Sequence, residues 1–171
     1  MKTGKRREDR VGGQALVEFA LVAPIFFLAM FGIIQVGLLF AGQNALVNGV
    51  REAARYAAPY RVVDAGGAAS TCATVNQKLK NVLQGSLIAY KASNLSSTTT
   101  YTWKASENGD GTFYVTVTIN ASYKFPLYVP IVGTFMDGMD GVQDGNLKLS
   151  ATEAMRVEND PLSATDTTTS C

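Results

Sequence analysis

A long uncharged segment near the N-terminus constrains the fold of this chain more than any other feature. No charged residue occurs between Glu18 and Arg51, and within residues 19–41 only Pro24 and Gln35 interrupt a run of apolar residues and glycine. At about 1.5 Å per residue, a helix over this run is about 35 Å long, which exceeds the roughly 30 Å hydrocarbon core of a bilayer. The sequence therefore predicts one membrane-spanning helix.

The charges before the apolar run predict its orientation. Five lysines and arginines precede it, opposed by one aspartate and one glutamate. Because basic residues are enriched on the cytoplasmic side of a span, we expect a cytoplasmic N-terminus and an exported remainder. A cleaved secretory signal peptide is the alternative, but its apolar core typically has only about 7–15 residues.

Composition argues against several functional classes. The chain has no histidine and a net charge of +1. Histidine-based catalytic triads and histidine-bound zinc are therefore excluded, and nothing suggests a nucleic-acid partner. We predict that the protein is not an enzyme, although an anchored hydrolase acting through carboxylates is left open.

The helix is predicted to continue beyond the membrane, over residues 14–58, because Pro59 is its first stop signal. This divides the chain into a basic leader (1–13), the long helix and an exported head (59–171). Small residues occupy every fourth position along the second half of the helix, which favours lateral packing of several helices, although an alanine-rich helix produces such a row by chance. The row consists of Gly37, Ala41, Ala45, Gly49, Ala53 and Ala57.

The head has the pattern of an α+β domain. Apolar residues recur at helical spacing over 73–90, and strands with a period of two are predicted at 98–104, 113–120 and 146–157. An Asn-Gly-Asp-Gly turn at 108–111 joins the first two strands as a hairpin, and residues 126–145 are predicted to be a long loop. We expect one helix packed on a three-stranded antiparallel sheet.

Both cysteines, Cys72 and Cys171, fall in the exported part. In an oxidising compartment such a pair is usually a disulfide, here closing a loop of about 100 residues and contributing about 4.7 kcal/mol in the chain-entropy model. It would tie down a Ser/Thr/Asp-rich tail whose composition is otherwise typical of disorder. An intermolecular bridge through Cys171 is the alternative.

The predicted loop contains three aspartates, Asp137, Asp140 and Asp144, among glycines. Carboxylate oxygens on a flexible chain suit calcium, but the spacing is not that of an EF-hand, and Asp-Gly repeats are common in turns. A calcium site and a plain solvated turn both remain open, and no other cofactor is expected. The site would suit an unprocessed, single-pass membrane-anchored binding protein, which is the alternative function.

Glu18 stands at the start of the apolar run, where an unpaired carboxylate in hydrocarbon would cost several kcal/mol. It either lies at the headgroup level or has a partner. If the chain were cut after Gly13, the new α-amino group of Gln14 would lie about 6 Å along the helix from Glu18. In a bundle of offset copies, a neighbour's amine could pair with Glu18 and fix the register.

These residues resemble a known family. Residues 13–19, Gly-Gln-Ala-Leu-Val-Glu-Phe, resemble the processing site of prepilins of the tight-adherence (Tad/Flp) type IV pilus. Residues 14–24, followed by Arg-Glu-Ala-Ala-Arg-Tyr-Ala at 51–57, are similar to TadE-like pseudopilins, and residues 149–158 resemble that family's last strand. The resemblance implies a type IV pilin-like fold and a minor pilin rather than the much shorter major one.

The resemblance also implies the partners and the location. A prepilin peptidase would cut after Gly13, with Glu18 and the aromatic Phe19 as further determinants. The long helix would then sit in the bacterial inner membrane, contact other pilin subunits and the assembly platform, and in some cases enter an extracellular pilus. Charged residues above the membrane either form salt bridges between subunits or make up a solvated helix face; they are Arg51, Glu52 and Arg55.

Overall fold

The structure is a computed structural model that describes residues 8–59, 65–88, 90–105, 113–157 and 169–170. Its elements confirm the predicted α+β class and the antiparallel sheet. In chain order they are α1 (Glu8–Ala57), α2 (Ala65–Ser86), β1 (Leu95–Ala105), β2 (Phe113–Pro126), α3 (Pro130–Asp137), β3 (Asn146–Arg156) and β4 (Thr169–Ser170).

Helix α1 is a single helix of 50 residues with Pro24 inside it. It begins at Glu8, so the start predicted at residue 14 is wrong, and Gly13 lies within the helix. Its end at Ala57 agrees with the prediction, since Pro59 disfavours helical geometry in the residue before it. One continuous helix therefore connects the leader, the apolar run and the head.

The sheet has the strand order β3-β2-β1-β4, and all its pairs are antiparallel. Strand β2 is longer than predicted, because the inward alternation of Val115, Val117 and Ile119 continues through Ala121, Tyr123 and Phe125, all of them buried. Strand β1 likewise begins at Leu95 rather than at residue 98. The predicted turn at 108–111 lies outside the described residues, although β1 and β2 pair up to its edges.

The helices cover one face of this sheet, but not in the predicted way. The second half of α1 contacts β2 and β3, and α2 contacts α1 and β1. Among the apolar residues that recur over 73–90, Val75, Leu79 and Leu83 of α2 are buried, as is Leu87 just after it, whereas Ile88 is exposed. The sheet is thus covered mainly by α1 itself, which sequence periodicity alone does not reveal.

The predicted long loop at 126–145 contains α3 and a following 3₁₀ turn, Gly138–Asp140. Pro130 occupies the first turn of α3, where its fixed φ suits the helix and its missing N–H costs nothing. α3 lies against the middle of α1: a Cβ added to Gly32 would be 3.9 Å from Val132 Cγ2.

Candidate functional site

The predicted processing residues lie on an exposed turn of α1. Gly13, Gln14, Glu18 and Phe19 are all exposed, and Phe19 has 67% of its surface accessible. The side-chain amide of Gln14 donates a hydrogen bond from Nε2 to Glu18 Oε1 at 3.0 Å. The carboxylate therefore has a partner one helical turn away, which sequence reasoning missed although the i, i+4 spacing could have indicated it.

Gly13 has no packing role in this structure. A Cβ added at this position would meet nothing within 4 Å. Glycine in a helix interior costs about 1 kcal/mol relative to alanine, and Gly12 precedes it, so the helix is intrinsically weak here. A peptidase that needs an extended substrate would find this turn easier to open than its neighbours. The roles predicted for the processing residues stay predictions.

The first half of α1 presents apolar side chains all around. This helix is long and apolar enough to cross a membrane, with a mean hydropathy of 2.4 over its most apolar window, none of which is buried. The exposed large side chains of this region include Leu16, Val17, Leu21, Val22, Ile25, Phe26, Phe27, Leu28, Phe31, Ile33 and Ile34.

The predicted row of small residues divides into two parts. Gly37 and Ala41 are exposed, but the remaining four are buried in the chain's own head. At Gly49 an added Cβ would lie 3.1 Å from Leu79 Cδ1 and 3.3 Å from Leu83 Cδ2 of α2. The expectation of a continuous surface for neighbouring helices is therefore wrong for Ala45, Gly49, Ala53 and Ala57, which pack within the head.

The charges above the apolar run include one that pairs within the chain: Arg51 Nε lies 3.7 Å from Glu153 Oε2 on β3. Salt bridges between subunits at these positions stay a prediction. Sequence reasoning missed Glu153, although it interrupts the apolar side of the third strand. Glu52 and Arg55 are exposed on α1.

Gln35, which interrupts the apolar run, connects α1 to α3. Its side chain is fully buried, and Oε1 accepts hydrogen bonds from the backbone N–H groups of Tyr128 at 3.0 Å and Val129 at 3.3 Å. Among the described residues its Nε2 has no partner. The glutamine therefore supplies the hydrogen-bond acceptor for the two backbone N–H groups just before α3. Sequence reasoning missed this role.

In the acidic loop, two of the three aspartates have partners in the loop and the sheet. Asp137 Oδ1 accepts from the backbone N–H groups of Asp144 and Gly145 at 3.2 and 2.9 Å. Lys124 Nζ lies 2.7 Å from Asp144 Oδ2, and its hydrogen bond is the main reason why the pKa of Asp144 is lowered.

These contacts are those of an ordinary turn. The side chain of Asp140 lies outside the described residues, and among the others no three acidic, cysteine or histidine side chains form a group able to hold a metal ion. Calcium binding at Asp137, Asp140 and Asp144 stays a prediction.

Cys72 is buried, with 2% of its surface exposed, in the core beside α1. Cys171 lies outside the described residues. Strand β4 pairs Ser170 with Thr100 of β1, which brings the end of the chain to the sheet that α2 also contacts. This placement is compatible with the predicted Cys72–Cys171 disulfide, which stays a prediction.

Comparison with known proteins identifies one part of the chain. The family model described as "TadE-like protein" matches residues 13–55, which is less than half of the 171 residues. Neither the curated proteins nor the solved structures contain a match. The matched region holds Gly13 and Glu18 and ends inside the Arg-Glu-Ala-Ala-Arg segment of α1, so the resemblance found in the sequence is confirmed there. Over residues 13–55, the N-terminal helix of this chain is similar to that of TadE-like proteins.

Proposed function

We propose that this protein is a minor pilin, or pseudopilin, of a Tad-type adhesion pilus, with no reaction of its own. In this proposal α1 crosses the bacterial inner membrane with its N-terminus in the cytoplasm and its head in the periplasm. A prepilin peptidase cuts after Gly13, and the mature subunit joins other pilin subunits at the membrane assembly platform, with or without entering the filament.

One observation carries the proposal: the family match covers a helix whose two halves have different surroundings. The matched residues 13–55 include the exposed apolar part of α1 and the part buried in the head. A purely structural core helix would be buried along its length, whereas here no residue of the most apolar stretch is buried. Such a helix supports a subunit whose exposed apolar part contacts lipid before assembly and the helices of neighbouring subunits after it.

Cleavage after Gly13 would change the chemistry at Glu18. It would create an α-amino group on Gln14, the residue that already donates its side-chain amide to Glu18. In a stack of axially offset subunits, the amine of one copy pairs with Glu18 of the next. A buried pair of this kind adds little net stability but penalises wrong registers, because a mismatched subunit leaves a charge unpaired in an apolar bundle.

The surfaces left for neighbouring subunits are those that the head does not use. Gly37 and Ala41 remain exposed, so the lower part of the small-residue row is open to another helix. Glu52 and Arg55 remain exposed above it, whereas Arg51 is engaged with Glu153. Exposed ion pairs contribute only about 0–1 kcal/mol, so these charges would orient subunits rather than hold them together.

The test is the intact mass and N-terminal sequence of the protein from membranes of cells with and without the prepilin peptidase. The proposal requires a mature chain beginning at Gln14 only when the peptidase is present. Gly13→Leu should leave the chain uncut, because it replaces the glycine at the proposed cut site with a large side chain. The fold should not change, since a Cβ at this position meets nothing within 4 Å.

Gly37→Leu is the matched control, because a Cβ there also meets nothing within 4 Å and the position is remote from the cut. It should be processed normally. A chain that still begins at Met1 in the presence of the peptidase would contradict processing and favour the alternative of a membrane-anchored binding protein.

A further inference from the structure

We propose that α3 is a second membrane contact of this protein, seated in the periplasmic leaflet at the boundary between headgroups and acyl chains. This inference rests on the membrane anchoring of α1 proposed above. It assigns the exposed apolar side chains of α3 and the turn after it, Phe135, Met139 and Val142, to lipid rather than to water or to another protein.

The first argument is the level of α3 along α1. Val132 lies beside Gly32, and Gln35 holds the N–H groups of Tyr128 and Val129. Both contact points fall inside the apolar run, which continues to residue 41. At about 1.5 Å per residue, Gly32 lies about 13 Å below the outer end of that run.

No acceptable position of the bilayer along α1 places α3 outside the membrane. A hydrocarbon core of about 30 Å takes about 20 helical residues, so a membrane whose outer edge lay at Gly32 would begin near residue 12. Glu18 would then lie about 9 Å inside the hydrocarbon, at a cost of several kcal/mol. With Glu18 at the inner edge of the hydrocarbon, a core of about 20 helical residues ends near residue 38. Gly32 then lies about 9 Å inside the outer edge, so α3 stays within the outer leaflet near the headgroups.

The second argument is the surface that α3 presents. Residues 125–136 contain no charged side chain. Phe135 is 85% exposed and Met139 is 72% exposed, and Val142 and Phe40 are also exposed. Large apolar side chains of this kind are favourable in a membrane interface, where the apolar face of a helix lies about 5–10 Å into the headgroup and acyl boundary.

The third argument is a groove that α3 borders through Met136. It has a volume of about 300 Å³ and an almost wholly apolar lining. Because it lies at the level of residues 36–43 of α1, it continues the lipid-exposed face of that helix and suits an acyl chain. The lining residues are Val36, Leu39, Phe40, Gln43, Met136 and Leu149.

Most polar groups around α3 have partners, although Nε2 of Gln35 has none among the described residues. In a region poor in water, each unsatisfied backbone group costs several kcal/mol. Gln35 accepts from the two N–H groups before α3, Leu127 N–H donates to Gly145 O at 3.1 Å, and Lys124 and Asp144 pair at the rim. This gives the buried glutamine a reason to lie in the middle of an apolar run.

The experiment uses tryptophan fluorescence of the full-length protein in vesicles of phosphatidylethanolamine and phosphatidylglycerol, with and without bromine on the acyl chains. Trp103 is the only tryptophan, so each reporter is placed in a Trp103→Phe background. Phe135→Trp tests α3, Phe27→Trp reports on the membrane span, and Lys80→Trp reports on the solvated side of α2. Met139→Trp is an independent second reporter on the proposed surface.

We expect brominated lipid to quench Phe135→Trp and Met139→Trp at least about twofold more than Lys80→Trp, since only the interfacial face reaches the acyl boundary. Quenching of Phe27→Trp alone, with both α3 reporters behaving like Lys80→Trp, would overturn the inference while leaving membrane anchoring intact. A blue-shifted but unquenched Phe135→Trp would also overturn it and indicate burial against a second copy. An unquenched Phe27→Trp would overturn both the inference and the anchoring.

Discussion

The two halves of α1 have the same helical geometry and a similar supply of apolar and small residues, yet they meet opposite surroundings. In the first half, large side chains such as Ile25 and Ile33 are 72% and 74% exposed. In the second half, Leu46, Val50 and Ala53 are at most 1% exposed, buried in the head. Apolar content alone therefore does not say which solvent a helix surface meets.

The difference lies in how polar residues are spaced. The first half has no polar face, whereas the second half alternates buried positions with exposed Asn44, Asn48 and Arg51. A stripe of this kind is typical of a helix that packs on a protein core, and a helix that is apolar all around is typical of a membrane span. The transition occurs at Gln35, the first fully buried side chain of α1.

The largest expected difference between the two halves is the loss of stability when a large side chain is truncated. Leu46→Ala should destabilise the head by about 2–5 kcal/mol, because it leaves a cavity between the helices and the sheet. Leu28→Ala, in the exposed half, should leave the unfolding of the head unchanged. Urea unfolding of the detergent-solubilised protein measures both, and equal effects would refute the division of the helix.

A second pair of variants compares an enclosed glycine of α1 with an exposed one. At Gly42 an added Cβ would lie 2.8 Å from Phe125 Cε2, whereas Gly37 has open space around it. Gly42→Leu should therefore cost about 1–3 kcal/mol by overpacking, and Gly37→Leu should be neutral or slightly stabilising. Thermal unfolding of the two variants decides the matter, and a neutral Gly42→Leu would contradict the observed packing.

The boundary between the halves can be tested at Gln35. Gln35→Leu keeps the size of the side chain but leaves the N–H groups of Tyr128 and Val129 without their acceptor. We expect a loss of about 1–3 kcal/mol and faster amide exchange in residues 128–133. Gln43→Leu, which removes a hydrogen bond to the carbonyl oxygen of Ser150, is the control and should not change exchange in α3.

The ion pair between Arg51 and Glu153 should contribute little to stability. Arg51 and Glu153 are 57% and 31% exposed at their side chains, so a double-mutant cycle with Arg51→Met and Glu153→Gln should give about 0.2–1 kcal/mol. A coupling several times larger would mean that this pair, rather than apolar packing, fixes α1 on the sheet.

The smallest expected effect is a dependence on pH at the rim of α3. The pKa of Asp144 is lowered mainly by its hydrogen bond from Lys124. A lowered pKa in the folded state means that the stabilisation is present above the ordinary aspartate value of about 3.9 and is lost as pH falls through the folded pKa. Lys124→Met should make unfolding less sensitive to pH below about 4, and an unchanged acid limb would exclude the pair as its cause.

The sequence predicted the parts of this fold that have strong local signals. The uncharged run, the end of α1 before Pro59 and the alternation in β2 each follow from periodicity or from a stop signal, and each is found in the structure. α3 was missed because it has eight residues, which is too short for a reliable helical period, and because prolines and glycines around it are typical of a loop.

By itself the sequence determined that this chain has one apolar helix long enough to span a bilayer, an α+β head and a TadE-like N-terminal segment. Only the tertiary structure decided which residues of the head pack on each buried position of the helix. A row of small residues at every fourth position lets any other helix approach α1 closely. Only the three-dimensional fold shows that Leu79 and Leu83 of α2 lie against Gly49. The reason is that burial depends on residues distant in the chain, and no local pattern in α1 encodes them.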